Sequence, residues 1–353
     1  MHSPTIPHAT RAVANPADDQ LLQDIDNAQN LVELFLKRAD EKGDAPFLGH
    51  KTGGQWVTQS WRSAAEQVCL LAEALRGMGL EDGDRVALVS ENRPEWCIAD
   101  LAIMAAGCIT VPTYTTNTRR DHAHILDNSG ARAVFVSTEK LLAPLVGAIG
   151  QTGLVEHVIG IDDLKRQQSG SFEYHAWAGL ITGDAAAARA AVDDRISRIE
   201  RSETACLIYT SGTGGAPRGV MQHHGAILCN VAGAAEVLIE DFGIKDERFL
   251  SFLPLSHAYE HSGGQYLPIG VGAEIFYSEG LEKLASNIEE TRPTIMVVVP
   301  RLFEVLRTRI MKQIEKEGKV ANFMMDSALK IAEHSKEGKK RLRDRPLDFL
   351  VEK

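Results

Sequence analysis

Short apolar segments with strand-like composition alternate with segments of helical periodicity along most of this 353-residue chain. The alternation forms two series, at about 60–162 and about 204–300. Within the second series, residues 294–299 are a continuous apolar run rich in β-branched side chains, as expected for a strand buried on both faces. This pattern predicts an α/β fold with two parallel-rich sheets covered by helices.

Composition excludes several classes of protein. An apolar content of 44% and a charged content of 24% are typical of folded domains. The net charge of −10 argues against a dedicated nucleic-acid binder, which would need a basic face. The five scattered cysteines have neither zinc-type nor secretory spacing, so we expect buried, reduced thiols. No segment resembles a signal peptide or a bilayer span, which predicts a cytoplasmic protein.

Two regions stand apart from this pattern. Residues 1–28 are rich in Pro, Asn, Asp and Gln and predict a flexible tail, ahead of subdomains at about 29–200 and 201–353. Residues 301–353 carry 14 Lys and Arg against 9 Asp and Glu, on an otherwise acidic chain. This basic stretch allows peripheral contact with an anionic membrane, although a solvated helix face with many charge pairs is the favoured interpretation.

Individual elements follow from local signals. Extended segments 46–50 and 55–58 flank a glycine pair and predict a hairpin, and Ser60 is placed to cap the next helix. Residues 163–200 are irregular apart from a helical run at 185–192. Further strands are predicted at 85–90, 108–111, 133–137, 157–161, 205–209, 248–253, 273–277 and 295–299. Further helices are predicted at 94–106, 119–128, 140–149, 224–238, 260–267 and 281–290, with a long one from Arg301.

A loop rich in glycine and hydroxyl side chains follows the predicted strand at 205–209. Its glycines let backbone amides turn toward one point, its hydroxyls add donors, and an arginine adds a fixed cation. Such a loop at the carboxyl end of a strand suits a polyphosphate. The donors are Thr210, Ser211, Gly212, Thr213, Gly214, Gly215 and Arg218.

The position of Pro217 excludes two familiar phosphate loops. A Walker A loop would need glycine there, followed by lysine and a hydroxyl residue, and the dinucleotide pattern would need its third glycine at the same place. Pro217 also prevents a helix from starting inside the loop. The alternative interpretation is a flexible surface turn without a binding role, but such turns seldom contain so many Ser, Thr and Gly residues after a buried strand.

The order of residues from Tyr209 to Gly219 resembles the phosphate loop of the adenylate-forming (AMP-binding) superfamily, usually written YTSGTTGxPKG. The resemblance implies that the loop residues named above hold the phosphates of ATP, with Thr210 near Mg²⁺. Two positions depart from the pattern, because Gly214 replaces threonine and Arg218 replaces lysine. Since arginine keeps the charge but changes its geometry, we expect altered ATP affinity rather than lost binding.

A second segment, residues 252–260, resembles the LPLxH segment of the same superfamily. The resemblance implies that His257 positions the acyl-adenylate rather than accepting a proton, although a lone histidine is more often structural. Glu260 and His261 can equally belong to the start of a helix. Residues 292–304 are most similar to long-chain fatty acyl-CoA synthetases, and the whole resemblance covers roughly 29–350.

The resemblance implies a two-step reaction, in which a long-chain fatty acid is activated by ATP to an acyl-adenylate and then transferred to coenzyme A. ATP, Mg²⁺ and coenzyme A are the implied cofactor and co-substrates, and AMP and pyrophosphate the products. Family members continue past residue 353 with the YGxTE and TGD segments and a small lid domain carrying a catalytic lysine. Residues 301–353 contain none of these, so we expect an incomplete large domain that is not competent alone.

The sequence leaves three alternatives open. The chain could activate an aryl or amino acid, because part of the acyl pocket would lie beyond residue 353. It could be an inactive module that binds nucleotide or acyl groups. A purely structural α/β scaffold is the third, but it leaves the Ser/Thr/Gly loop unexplained.

Overall fold

The structure is a computed structural model that describes residues 15–164, 172–210 and 216–304, together with 307, 308 and 311. Met1–Val297 belong to one compact unit and Val298–Lys353 to another. Residues 300–304, 307, 308 and 311 are helical, in agreement with the helix predicted from Arg301. Most of the predicted basic stretch lies outside the described residues.

Two sheets hold the strands of the described residues, one of seven strands and one of four. Numbered along the chain, the strands are β1 (Pro46–Thr52), β2 (Gln55–Ser60), β3 (Arg85–Val89), β4 (Ile109–Thr113), β5 (Ala133–Val136), β6 (His157–Gly160), β7 (Glu173–Ala176), β8 (Thr204–Thr210), β9 (Arg218–His223), β10 (Arg248–Ser251) and β11 (Glu274–Tyr277).

The helices connect these strands, and one of them begins at the capping residue predicted from the sequence. Ser60 accepts a hydrogen bond from the backbone of Ser63. The helices are α1 (Pro16–Asn27), α2 (Leu31–Lys42), α3 (Trp61–Gly77), α4 (Pro94–Ala105), α5 (Arg119–Ser129), α6 (Glu139–Thr152), α7 (Trp177–Leu180), α8 (Ala185–Ile196), α9 (His224–Phe242), α10 (Ala258–Glu260), a π-helix (His261–Tyr266), α11 (Leu267–Val271) and α12 (Leu284–Thr291).

The seven-stranded sheet has the order β7-β6-β5-β3-β4-β8-β9, and every neighbouring pair is parallel except β8 with β9. Alternate residues of its central strands enter two separate cores. Val86 and Leu88 pack in one core with residues of α3, α4 and α8. Ala87 and Val89 pack in the other with residues of α5 and α6. Helices therefore cover both faces, which confirms the predicted fold class.

The four-stranded sheet has the order β10-β11-β1-β2, in which only β1 and β2 are antiparallel. Its strands come from both ends of the described chain, since Leu48 of β1 pairs with Ile275 of β11. Likewise, β8 and β9 complete the sheet begun by β3. The predicted division into subdomains near residue 200 is therefore wrong for the sheets, because strand pairing joins segments that are distant in sequence.

Helix α4 lies at the centre of the larger core. Pro94 occupies its first turn, where no backbone donor is required, and every residue of the helix except Glu95 is buried. That includes a charged residue, Asp100, which is not exposed at all. Of the five cysteines, only Cys229 is exposed, so the expectation of buried thiols is confirmed for the other four.

Three local predictions differ from the structure. The flexible tail is wrong for Pro16–Asn27, because Asn15 caps that helix and Ile25 is buried in the core; residues 1–14 lie outside the described residues. Residues 295–299 form a single bridge, from Ile295 to Phe249, rather than a strand. Strands β7 and β9 were not predicted. Among the described residues, no helix combines the length and apolar character needed to span a bilayer.

Candidate functional site

The predicted phosphate loop begins and ends at one point of the seven-stranded sheet. Thr210 is the last residue of β8 and Arg218 the first of β9, and the two are directly opposite each other in the antiparallel pair. Both are exposed. The structure thus brings these two predicted residues together. The predicted positions Ser211, Gly212, Thr213, Gly214 and Gly215 lie outside the described residues.

The base of this hairpin is anchored to α5. The hydroxyl of Tyr209 donates to Oδ1 of Asn128 at 2.7 Å, and burial raises the pKa of that hydroxyl, so it stays protonated. On the next turn of the same helix, Nε2 of His124 lies 2.7 Å from the carbonyl oxygen of Pro217. These contacts fix the two strands where the loop departs. Neither Asn128 nor His124 was predicted as a partner of the loop, although they lie four residues apart on a predicted helix and so share one face.

The same arrangement leaves little room for a side chain at Gly219. A Cβ atom at this position would lie 3.0 Å from the ring of Tyr209, which is closer than such atoms normally approach. The aromatic ring therefore lies directly against the backbone of β9. This contact gives a physical reason for the tyrosine and the glycine at opposite ends of the motif.

His257 is in the segment that follows β10 of the other sheet. Its backbone N–H donates to the carbonyl of Pro254 at 2.9 Å, and its Nδ1 accepts from the backbone of Tyr259 at 3.2 Å. Because Nδ1 accepts, a neutral ring carries its proton on Nε2 and offers one N–H donor from an exposed position. Among the described residues, no hydrogen bond joins His257 to Thr210 or Arg218.

Asn92 connects the segment that carries His257 to the end of β3. Its amide nitrogen donates to the carbonyl of Leu253 at 2.7 Å and to Oγ of Ser251 at 3.0 Å. Its amide oxygen accepts from the backbone of Leu255 at 3.1 Å. All of its amide contacts therefore hold one turn between the two sheets. Asn92 lies between the strand predicted at 85–90 and the helix predicted at 94–106, and no local signal identifies a partner so distant in sequence.

Glu260 is turned inward rather than placed at an exposed helix start. Its Oε1 accepts from the hydroxyl of Ser251 at 2.7 Å and from the backbone of Phe252 at 3.3 Å, and the residue is fully buried. Burial raises the pKa of this carboxyl to about 7, with the two hydrogen bonds opposing that shift. The end of β10 and the beginning of α10 are therefore joined by one carboxyl group.

The π-helix directs three side chains onto Asp100 of α4. Oδ2 of Asp100 lies 3.0 Å from Nε2 of His261 and accepts at 2.7 Å from both Gln265 and the hydroxyl of Tyr266. The wider turn of a π-helix places residues 261 and 266 on one face. Pro268 favours this turn, since it has no N–H to continue an α-helical ladder.

The seven-stranded sheet ends in a hairpin whose connecting sequence is rich in hydroxyl residues and glycine, and a second sheet lies in the same unit. This combination is typical of an α/β nucleotide-binding domain. Residues 35–344 match the family model described as AMP-binding enzyme. The match covers most of the chain, so the chain belongs to the AMP-binding enzyme family. This confirms the resemblance found in the phosphate loop.

Curated relatives of this chain include long-chain fatty-acid–CoA ligases. It is 29% identical over 283 residues to the ligase ACSBG2 of Xenopus laevis, covering 79% of this chain and 38% of the relative. It is 30% identical over 284 residues to the ligase FadD15 of Mycobacterium tuberculosis, covering 78% of this chain and 44% of the relative. The chain thus spans less than half the length of these relatives.

Solved structures share the fold. The A domain of carboxylic acid reductase from Segniliparus rugosus superimposes with a TM-score of 0.70 at 18% identity, covering 88% of this chain and 54% of that one. The N-terminal domain of FACL13 from Mycobacterium tuberculosis gives 0.61 at 21% identity, covering 79% and 65%. These likenesses confirm an adenylate-forming large-domain fold.

Proposed function

We propose that this chain supplies the ATP-phosphate-binding part of an enzyme that converts a long-chain fatty acid to its acyl-CoA through an acyl-adenylate. The observation that carries the proposal is the hairpin base, where Thr210 and Arg218 meet at the carboxyl end of β8. A hydroxyl and a fixed cation lie side by side there, and Tyr209 holds them through Asn128. Family membership and the named relatives support the same reaction class.

The first step is a displacement at phosphorus. A carboxylate oxygen of the fatty acid bonds to the α-phosphorus of ATP, and the bond to the β-bridging oxygen breaks, so that pyrophosphate leaves with its charge. Arg218 supplies positive charge for the leaving phosphates, and its guanidinium group can donate hydrogen bonds to two phosphate oxygens at once. Mg²⁺ bound with ATP supplies further neutralisation, and we assign the hydroxyl of Thr210 to it.

The second step is acyl transfer. The thiol sulfur of coenzyme A bonds to the acyl carbon, AMP leaves, and the thiol proton passes to solvent. His257 offers an N–H donor on the loop after β10, which suits holding an acyl-adenylate oxygen rather than accepting a proton. We propose that this 353-residue chain does not complete either step alone, since it spans less than half of its curated relatives.

Calorimetric titration of ATP with Mg²⁺ into the 353-residue chain tests the binding role. We expect binding that Gly212→Asp abolishes, because a carboxylate would enter the phosphate loop. Arg218→Ala should weaken binding about tenfold or more, as expected for loss of a charge-assisted hydrogen bond. Arg198→Ala is the matched control, since it removes an exposed arginine that pairs with Asp194. Unchanged affinity in both loop variants would contradict the proposal.

Exchange of labelled pyrophosphate into ATP tests competence, and any exchange that does occur reports the class of carboxylate. We expect no exchange above background with this chain, whether the acid is palmitic, benzoic or an amino acid. Robust exchange with palmitic acid would refute the proposed incompetence while supporting the substrate class. Exchange only with benzoic acid or an amino acid would support the alternative carboxylates.

A further inference from the structure

Three potential metal ligands meet at the first residues of β6 and β7. His157 and Glu173 are paired in the parallel register, and His175 lies two residues further along β7. One ligand atom from each of these three residues lies within 4.8 Å of the other two. Parallel strands present residues two apart on the same face, so the backbone itself aims these side chains at one point.

The orientation of His157 is fixed by a second contact. Its Nε2 lies 3.0 Å from the carbonyl oxygen of Met78, which can only accept, so this nitrogen carries the proton. In the neutral ring, Nδ1 then directs a lone pair toward Nε2 of His175 at 3.1 Å. Metal-bound histidines characteristically donate their other N–H to a backbone carbonyl or carboxylate in this way.

The spacing of the three atoms is close to that of a tetrahedral site. Ligand atoms bound to Zn²⁺ at about 2.1 Å lie about 3.4 Å from one another. Nδ1 of His157 and Nε2 of His175 are 3.1 Å apart, and Oε2 of Glu173 is 3.8 Å and 4.0 Å from them. The glutamate side chain is 70% exposed, whereas the histidine side chains are 11% and 16% exposed. The exposed ligand, Glu173, is therefore the one that must move.

We propose that His157, Glu173 and His175 bind a divalent transition-metal ion, with Zn²⁺ the best match. Two imidazoles and one carboxylate are a zinc ligand set, and a water molecule would complete the tetrahedron on the side of the exposed glutamate. The site lies at the amino ends of the parallel strands, opposite the carboxyl end of β8. It would tie the edge strand β7 to β6 and takes no part in the phosphate chemistry.

Without metal, the two histidines can share a single proton in an ordinary hydrogen bond. That arrangement needs no third ligand, and Glu173 is then an exposed surface carboxylate near two imidazole rings. It also predicts that divalent cations bind no better to this chain than to variants lacking the cluster. The two arrangements therefore differ in a measurable affinity.

The test uses the 353-residue chain with Cys229→Ser in every sample, because this exposed thiol could itself bind Zn²⁺. After treatment with EDTA and its removal, ZnCl₂ is titrated by calorimetry. We expect one strong site whose affinity falls at least about tenfold in Glu173→Gln and about 100-fold or more in His175→Asn. His223→Asn is the matched control, since asparagine can still cap α9.

Two further measurements keep the outcome clear. Co²⁺ should give the intense visible absorption of a tetrahedral site in the parent and in His223→Asn, and lose it in His175→Asn. Saturating Zn²⁺ should raise the melting temperature of the parent but not of His175→Asn. If circular dichroism shows that His175→Asn is unfolded, the exposed Glu173→Gln carries the test. Equal Zn²⁺ affinity in the parent and Glu173→Gln, or no site in the parent, would overturn the proposal.

Discussion

Nε2 of His261 lies 3.0 Å from Oδ2 of Asp100, and neither side chain is exposed to solvent. Burial alone would lower the pKa of the imidazole, but the Asp100 carboxylate overrides it and raises that pKa to about 10. The imidazole is thus charged at neutral pH and pairs with this carboxylate, beside the larger apolar core. Gln265 and Tyr266 bond to the same carboxylate oxygen, so the π-helix is held to α4 by one buried charge.

Replacement of Asp100 by asparagine should destabilise the protein by about 3–5 kcal/mol, because it leaves a buried imidazole without its counter-charge. The parent protein should also show a characteristic dependence of its stability on pH. A raised histidine pKa in the folded state contributes stability that is complete below about pH 6.5 and is lost as pH rises through about 10. Urea unfolding at pH 7, 8, 9 and 10 should therefore show a decline in the parent that is reduced in Asp100→Asn.

The control for that series is Asp127→Asn, which makes the same chemical change at an exposed position. It should alter the free energy of unfolding by less than about 0.5 kcal/mol at each pH. If Asp100→Asn keeps the full decline of the parent between pH 7 and 10, the assignment of an ionic pair is wrong.

Glu260→Gln should have the opposite effect at neutral and alkaline pH. The folded protein holds the Glu260 proton up to about pH 7, whereas the unfolded chain releases it near 4.5. Stability is therefore lost as pH rises between these values, and above pH 7 the parent carries a buried charge. Glutamine keeps an acceptor for Ser251 without that charge, so it should stabilise the protein at pH 8 by up to about 3 kcal/mol.

The gain from Glu260→Gln should be absent at pH 4, where the parent carboxyl is protonated in both states. Denaturation at pH 4, 6 and 8 measures this difference, with the exposed Glu289→Gln as the matched control. A glutamine variant less stable than the parent at pH 8 would refute the prediction. It would mean that the hydrogen bonds to the carboxylate outweigh its desolvation.

Gly264→Ala should destabilise the π-helix. A Cβ atom at Gly264 would overlap the carboxyl group of Glu260, which the hydroxyl of Ser251 holds in place. We expect a loss of about 1–3 kcal/mol by thermal or urea unfolding, as for other overpacked positions. Gly233→Ala in α9 is the matched control, because its Cβ would meet open space and alanine favours helix by about 1 kcal/mol. Equal effects of the two substitutions would contradict this account.

Asn92→Ala should loosen the turn that leads to His257. The change removes the partners of the Leu253 carbonyl and the Leu255 amide, and unpaired backbone groups of this kind cost about 1–3 kcal/mol each. Hydrogen exchange at the Leu255 amide should accelerate in the variant. Asn92→Asp keeps the acceptor but not the donors, so it should protect this amide while still lowering stability. Unchanged exchange in Asn92→Ala would show that the turn is held by other contacts.

Much of the fold follows from local sequence. The alternating segments predicted parallel strands covered by helices, and Ser60 and Pro94 marked helix starts correctly. Pairing between distant segments could not be predicted in this way. The β1–β2 hairpin gives no local sign that it joins β11, and β9 is exposed and polar enough to resemble a loop. The apolar run after Arg292 forms only one bridge because apolar character alone does not create a partner strand.

In the candidate site, too, local motifs could be predicted from the sequence and contacts between distant residues could not. Thr210 and Arg218 were predicted from the loop motif, since a motif is local. Asp100 was not predicted, because the role of this charged residue in an apolar helix depends on partners more than 160 residues away. His157 and His175 escaped notice for the same reason, since their spacing of 18 residues matches no zinc motif and the sheet register brings them together.

The pairing of β1 with β11, two strands distant in sequence, determines which strand is synthesised first and must wait for its partner on the ribosome. Leu48 leaves the exit tunnel more than two hundred residues before Ile275, its neighbour across the sheet. At about 5–20 residues per second, the nascent hairpin waits on the order of ten to forty seconds with one edge unpaired. Throughout that interval, this edge is open to a chaperone or to the same hairpin on the next ribosome of a polysome.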